Sequence, residues 1–433
     1  MIAVYSHTNT QRLQYVLKFL SGYYGHSFEL FTDKKYFLAT DGVRLNYSGE
    51  ALPDSFQLNP VGLLFDSGIQ PITITCFQHA NGYPAFFGSE DELGFDLFAA
   101  VFYLLSRYEE YLPHQKDMYG RYAHQNSIAF QNGFLHLPVI NIWLEDFRHH
   151  LNNAGSVPLP KFSFQPTYDI DMAWSYREKG IARNVGGFFR SLATGNFSAV
   201  KSRMNVLTSQ EPDPFDCFGW LDELHRFYQL KPQYFFHVGK KRNRYDKSIP
   251  TTNEAFQKLI KATGDKNTIG LHPSWRSGDH PSLIVSEKRA LENILKEEIT
   301  SSRQHYIRFT LPQTFRQLID AGISDDYSMG YGSINGFRAS VATPFYWYDL
   351  EKETGTTLRL HPFCFMDANA FYEQKLSASE AYEELLRYYT EIKKVKGDLI
   401  TIWHNNILGS EPEFARWRKT YQRFLEHVAS ELS

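Results

Sequence analysis

The chain is poor in cysteine. Only Cys76, Cys217 and Cys364 occur in 433 residues. They are far apart, odd in number and in no CxxC spacing, which argues against a disulfide framework and against a cysteine-ligated metal site. Long apolar runs are missing as well. No stretch reaches 18 uncharged apolar residues, so no transmembrane span is expected. Met1 to Thr10 lacks a basic stretch followed by an apolar one, so no conventional secretory signal is expected, and the expected compartment is the cytoplasm. An excess of either charge is absent too: 45 Lys and Arg stand against 48 Asp and Glu, a formal charge of −3. That balance offers no broad attraction to nucleic acid or to a membrane surface, and neither is an expected partner. Internal repeats and low-complexity tracts are also lacking.

Aromatic residues are abundant, at 16%. Each ring buries much area, so large cores are easily built, and surplus rings also suit carbohydrate sites. A hydrophobic share of 42% and a charged share of 21% describe a globular chain. The length suggests about two or three domains. The clearest seam is Asn152-Asn-Ala-Gly-Ser-Val-Pro-Leu-Pro160, which mixes turn formers with two prolines. It divides a smaller mixed α/β domain, residues 1–155, from a second domain, residues 160–433, with the length of a single α/β barrel.

In the first domain, residues 9–23 and 95–108 carry apolar residues at helical period, and Pro71 to Phe77 reads as a strand. Arg107, Glu109, Glu110 and Arg121 read as a solvated or interface ion network. The second domain alternates. Strand-like runs at 161–168, 233–238, 268–271, 357–360 and 398–403 are separated by helical stretches at 218–228, 253–262, 286–299, 377–394 and 410–432. Ser377-Ala-Ser-Glu380 and Ser410-Glu-Pro-Glu413 have the spacing of capping boxes. Such alternation predicts parallel βα units.

In a parallel α/β fold the carboxyl ends of the strands open on one face, which carries the site. Here those ends bear Asp169 and Asp171, His237, His272, His361, and His404. Asp169 and Asp171, two apart in an extended backbone, project to the same side. Two carboxylates that close repel, and a divalent cation relieves them. One is then a ligand and the other a base acting on water. His272 is a second candidate ligand, because neutral imidazole suits zinc and similar metals.

Five features, in order, resemble the motif set of the polysaccharide deacetylase superfamily, also called carbohydrate esterase family 4 or the NodB-homology group. They are Thr167-Tyr-Asp169-Ile-Asp171, Gln233-Tyr-Phe-Phe-His-Val-Gly239, Ile269-Gly-Leu-His272-Pro273, Gly336-Phe-Arg338-Ala before Thr343-Pro-Phe-Tyr-Trp-Tyr-Asp349, and Leu399-Ile-Thr-Ile-Trp-His404. The resemblance spans about residues 160–430. The first domain resembles an uncharacterised amino-terminal domain found fused to such modules. The resemblance implies a deformed (β/α) barrel of about seven strands. It also implies hydrolysis of an acetyl group, N-deacetylation above all, from a glycan or sugar conjugate, with a bound divalent metal, zinc before cobalt, manganese or nickel. By motif position Asp169 is the base, Asp171 and His272 are metal ligands, Arg338 holds the base through a two-pronged ion pair, and His404 is the acid that protonates the leaving amine.

Two departures bear on this expectation. The family's first motif has adjacent acids, whereas Ile170 separates them here, so the roles of Asp169 and Asp171 can be exchanged. The family's second histidine, four residues after the first, is replaced by Arg276. His305, in Arg303-Gln-His305-Tyr-Ile-Arg308, is the first candidate for the missing ligand, ahead of Asp279, His280 and His361. Asp367 is a further candidate near the site, and Tyr346, Trp347 and Tyr348 are candidates for a sugar-stacking wall. Two other functions stand beside deacetylation: a catalytically silent carbohydrate-binding module, and an amidohydrolase acting on a non-sugar amide.

Overall fold

A computed structural model of the chain describes residues 1–152 and 160–432. The core of the expected seam, 153–159, lies outside the described residues. Before it stand β1 (Ile2–Tyr5), β2 (Phe28–Phe31), β3 (Val43–Tyr47) and β4 (Phe56–Leu58), which form a parallel sheet in the order β2-β1-β3-β4. The helices α1 (Gln11–Tyr24), α2 (Leu97–Leu105) and α3 (Val139–Asn152) accompany it. Thr10 caps α1 through its hydroxyl on the Leu13 N–H, and Gly25, at φ 65°, ends it in the left-handed region that favours glycine.

After the seam, nine strands make one sheet. They are β5 (Ser163–Ile170), β6 (Gln233–His237), β7 (Thr268–His272), β8 (Ser301–Ser302), β9 (Asp325–Asp326), β10 (Phe345–Asp349), β11 (Thr354–Leu360), β12 (Phe365–Met366) and β13 (Asp398–His404). Their order is β10-β11-β9-β8-β7-β6-β5-β13-β12, with every neighbouring pair parallel except β10 and β11. The βα alternation expected from the sequence is therefore present. A closed barrel is not: among the described residues no ladder joins the edge strands β10 and β12. The parallel register sets the strand ends level, pairing His404 with Asp169 and His237 with His272. β6 and β13 are largely buried on both faces, which their continuous apolar runs require.

Three local expectations change. Pro71 to Cys76 forms no strand, because no neighbour offers it a ladder; Ile72, Ile74 and Cys76 pack half-buried on the core instead. Ser410-Glu-Pro-Glu413 does not cap a helix directly. A short turn, Pro412–Phe414, precedes the last helix at Ala415, whereas the Ser377 capping box is formed. The aromatic wall is not at the site. Trp347 and Tyr348 are buried, Trp347 against Phe315 and Tyr348 against Phe102 and Tyr15, while Tyr346 sits at the outer edge beside Lys18.

One apolar core runs through both stretches of chain. Polar contacts cross it. Arg12, buried, donates from Nε to Glu353 at 2.9 Å and from Nη1 to the Leu63 carbonyl at 2.9 Å. Asn141 donates to Thr343 and accepts from the Ala342 N–H, both at 2.8 Å. Glu110 takes both prongs of Arg338, at 2.9 and 2.6 Å, and the Nε of Arg107 at 2.8 Å. All three are buried; of the expected ion network, Arg107, Glu109 and Glu110 pair in the interior, whereas Arg121 pairs with Asp117. Among the described residues no helix is long and apolar enough to cross a membrane.

Burial raises the Glu110 carboxyl, but the two guanidiniums outweigh it and bring it down to about 2. Its contribution is thus full above its ordinary 4.5 and is lost as pH falls through about 2. Glu110→Ala leaves two guanidiniums buried without their carboxylate, so urea unfolding at neutral pH is expected to show a loss of about 3–5 kcal/mol. A loss below about 1 kcal/mol, the value of an exposed pair, would contradict this reading.

Candidate metal centre and cleft

β5 carries Asp169 and ends at Ile170, Asp171 follows directly, and both carboxylates turn toward His272. β7 ends in His272, and the chain beyond β8 makes a tight turn over His305–Ile307. Tyr306 and Ile307 sit at φ 61° and 53°, a conformation that side chains with a Cβ rarely adopt. The turn is braced from the first stretch of chain: Arg121 donates to the Tyr306 carbonyl at 2.8 Å. That turn aims His305 back toward β5.

The result brings together Asp171, His272 and His305, whose ligand atoms all lie within 4.8 Å of one another. His272 Nε2 is 3.2 Å and His305 Nε2 is 3.3 Å from Asp171 Oδ1. Asp171 Oδ1 is buried and makes no hydrogen bond. Each imidazole spends its other nitrogen elsewhere. His272 Nδ1 lies 2.6 Å from the Arg303 carbonyl, which can only accept, so that nitrogen carries the proton and Nε2 keeps a lone pair. His305 Nδ1 lies 3.3 Å from the Asp246 carboxylate, which fixes its ring in the same sense. Three acceptor atoms thus face one another, an arrangement only a cation relieves. Without a metal a proton serves: burial lowers the His305 imidazole, but Asp171 and Asp246 outweigh it and raise it to about 9. The donor set, one carboxylate and two imidazoles, fits a zinc-like divalent ion with positions left for water or substrate.

Asp169 stands at the edge of this cluster, with Oδ2 3.9 Å from His272 Nε2. Its Oδ1 accepts from Arg303 Nη1 at 2.8 Å. Arg303 is fully buried, stacked at 4.4 Å on Phe235, and donates from Nε to the Tyr327 carbonyl. The arginine on Asp169 is therefore Arg303. Arg338, the one motif position suggested, is committed to Glu110 and to the Gly330 carbonyl, away from Asp169.

His404 lines the same cavity, at the end of β13 and in register with Asp169 of β5. Its Nδ1 is 2.6 Å from Asp367 Oδ1, and its backbone N–H donates to Asp367 Oδ2 at 2.7 Å. Burial lowers the imidazole, but the Asp367 carboxylate outweighs this and brings it up to about 10. The other candidates lie elsewhere. His361 pairs with Asp325 at 2.7 Å, Asp279 pairs with Arg308 at 2.6 Å, and His280 is exposed. His237 is fully buried beside Asp246, with 3.5 Å between Nε2 and Oδ1. Asp246 itself lay outside the sequence reading. It sits in the loop after β6, nine residues beyond His237 in sequence, and shows its role through contacts with His305, the Trp275 N–H and Asn243.

A cavity of about 600 Å³ opens over these groups. Tyr119, Tyr245, Tyr306 and Tyr372 line it together with Asp169, Asp171, His272, His305 and His404. Tyr119 and Arg121 come from the first stretch of chain, so both stretches build the wall.

Residues 2–156 match a family of unknown function (DUF7033). No curated protein matches the chain. Among solved structures, the chain is similar to the PuuE allantoinase, at 12% identity and a TM-score of 0.40, over 64% of this chain and 89% of that one. It is similar to a probable polysaccharide deacetylase from Pseudomonas aeruginosa PAO1, at 11% identity and a TM-score of 0.40, over 64% and 90%. It is also similar to a mutant CE4-family pseudoenzyme with restored enzymatic activity, at 10% identity and a TM-score of 0.32, over 63% and 68%. Likeness this distant speaks to neither substrate nor activity.

Zinc titration by calorimetry should give one site per chain. Asp171→Asn, His272→Ala and His305→Ala are each expected to weaken it strongly, and Asp246→Asn by about 10–100-fold through loss of the His305 support. Binding is expected to weaken as pH falls below about 9, where the proton on His305 competes. Wild-type affinity in His305→Ala would remove that residue from the ligand set.

Proposed function

We propose that the chain is a metal-dependent hydrolase that removes an acetyl group, most directly an N-acetyl group, from a glycan or sugar conjugate. The observation that carries this reading is the facing of three acceptor atoms, from Asp171, His272 and His305, beside a buried carboxylate held by arginine and in a cleft that a His–Asp pair also lines. Zinc bound by those three residues would supply Lewis-acid polarisation of the acetyl carbonyl and a lowered pKa for water.

The chain's own groups divide the proton work. Asp169, fixed by Arg303, takes the proton of the attacking water. Its ion pair with Arg303 supports this role over ligation, and the unpartnered oxygen of Asp171 supports ligation there. His404 enters the cycle protonated, because Asp367 holds its charge, and gives that proton to the departing amine. Asp367 also fixes the ring so that Nε2, not Nδ1, is turned to the cleft. The four tyrosines of the cavity offer flat faces for sugar rings, and a volume of about 600 Å³ suits one or a few of them.

Acetate release from a panel of N-acetylated sugars and sugar conjugates tests the reading, with N-acetyl amides lacking a sugar as the contrast. Asp169→Asn is expected to abolish turnover while zinc still binds; loss of zinc with it would exchange the roles of Asp169 and Asp171. His404→Ala is expected to lower kcat by about 10²–10⁴-fold. Asp367→Asn removes the charge that raises His404, so the alkaline limb of kcat is expected to move to lower pH. An unmoved limb would take the acid's role from His404.

A further inference from the structure

The segment that follows Asp171 leaves the cleft as a helical hairpin, α4 (Ile181–Ala193) and α5 (Phe197–Leu207), and returns at Phe215. Met172 and Phe215, at its two roots, both line the cleft. A surface helix ordinarily turns its apolar stripe to the core. Here the stripes face water. Ile181, Val185, Phe189 and Leu192 recur at helical spacing along α4, and Phe197, Met204 and Leu207 along α5, all exposed: Ile181 85%, Phe189 63%, Phe197 68%. Of the two helices only Asn184 and Val206 are buried. A groove of about 680 Å³ runs between the stripes, lined by Val185, Phe188, Phe189, Met204 and Leu207.

The charge around this apolar surface is predominantly positive, with Glu211 and Asp213 only on the return arm. Arg177, Lys179, Arg183, Arg190, Lys201 and Arg203 fall in the hairpin and its approach, with Glu178 as the sole acid among residues 177–203. The loop after β6 adds Lys240, Lys241, Arg242, Arg244 and Lys247, while its acid, Asp246, is turned inward to His305. The two groups meet at the cleft, where Tyr245 and Lys247 of the loop line the wall together with Met172 and Phe215 at the roots of the hairpin. The near-neutral total charge conceals this local patch.

Apolar side chains set among clustered cations suit an anionic bilayer, with rings and aliphatic groups at the acyl boundary and cations at the headgroup phosphates. A second copy of the chain suits it poorly, because a twofold contact through the hairpin sets the two cationic patches against each other. A soluble polyanion would leave the apolar stripes in water. We propose that the α4–α5 hairpin and the 240–247 loop form a docking surface for an anionic lipid bilayer. It seats the cleft along the membrane–water interface, since hairpin and cleft share the carboxyl end of β5. On the hydrolase reading, on which this last step alone rests, the substrate is an acetylated sugar carried by a lipid.

The test is co-sedimentation of the full chain with vesicles of phosphatidylcholine alone and of phosphatidylcholine mixed with phosphatidylglycerol. The expected result is binding at least about 10-fold tighter to the mixed vesicles, weakening with added salt. Phe189→Glu with Phe197→Glu is expected to lower it by about 10-fold or more, and Arg190→Gln with Lys201→Gln to lower it on mixed vesicles only. All four side chains are exposed, so melting temperature and zinc affinity serve as controls for folding. Equal binding to both vesicle types, no binding, or a concentration-dependent dimer abolished by Phe197→Glu would each overturn the proposal. Vesicle binding is read without turnover, so its failure leaves the hydrolase reading untouched.

Discussion

Lone pairs that face each other across about 3 Å inside a protein repel, and a fold tolerates them only where a cation belongs. Asp171 Oδ1 and the Nε2 atoms of His272 and His305 are in that position. Much of the surrounding structure holds them there. The Arg303 carbonyl and the Asp246 carboxylate fix the two imidazoles, parallel pairing sets the ends of β5 and β7 near one another, and Arg303 reaches the neighbouring Asp169. Arg303 serves the centre twice, with its carbonyl on His272 and its guanidinium on Asp169. A side-chain change at Arg303 removes the contact to Asp169 and leaves the backbone carbonyl on His272 in place.

The first stretch of chain is part of the same arrangement. Arg121 grips the strained turn that presents His305, and Tyr119 lies against Tyr306 with ring centroids 5.4 Å apart. Deeper in, Glu110 accepts from both Arg107 and Arg338 and joins them in the apolar interior. Buried charges of this kind tolerate little rearrangement, because any lost partner strands a charge in a poor solvent. The first stretch of chain, through Arg121 and Tyr119, thus acts as a buttress as well as a cleft wall.

The sequence carried the elements whose pattern is local. Long amphipathic helices, the capping box at Ser377 and the apolar strand runs at 233–237 and 398–404 were legible in it. So was the collection of Asp169, Asp171, His272 and His404 at strand ends, because parallel order alone brings such ends to one side. The arginine was not. Arg303 and Arg338 both sit near plausible motifs, and only the packing of Phe235 and Tyr327 around one and of Glu110 against the other separates them. Asp246 was illegible for a similar reason: a loop acid acquires its role from what it touches. The strands at 301–302 and 325–326 are too short to carry a periodic signal. The helices α4 and α5 were not among the helical stretches read from the sequence, and periodicity alone does not say which face meets water.

The central claim is that one divalent cation belongs between Asp171, His272 and His305. Anomalous scattering from crystals of the zinc-loaded chain tests it most directly. The account predicts a single strong peak about 2.0–2.2 Å from Asp171 Oδ1 and from both Nε2 atoms. A peak seated instead among His237, Asp246 and the far side of His305, or none at the three-atom cluster under saturating zinc, would contradict it.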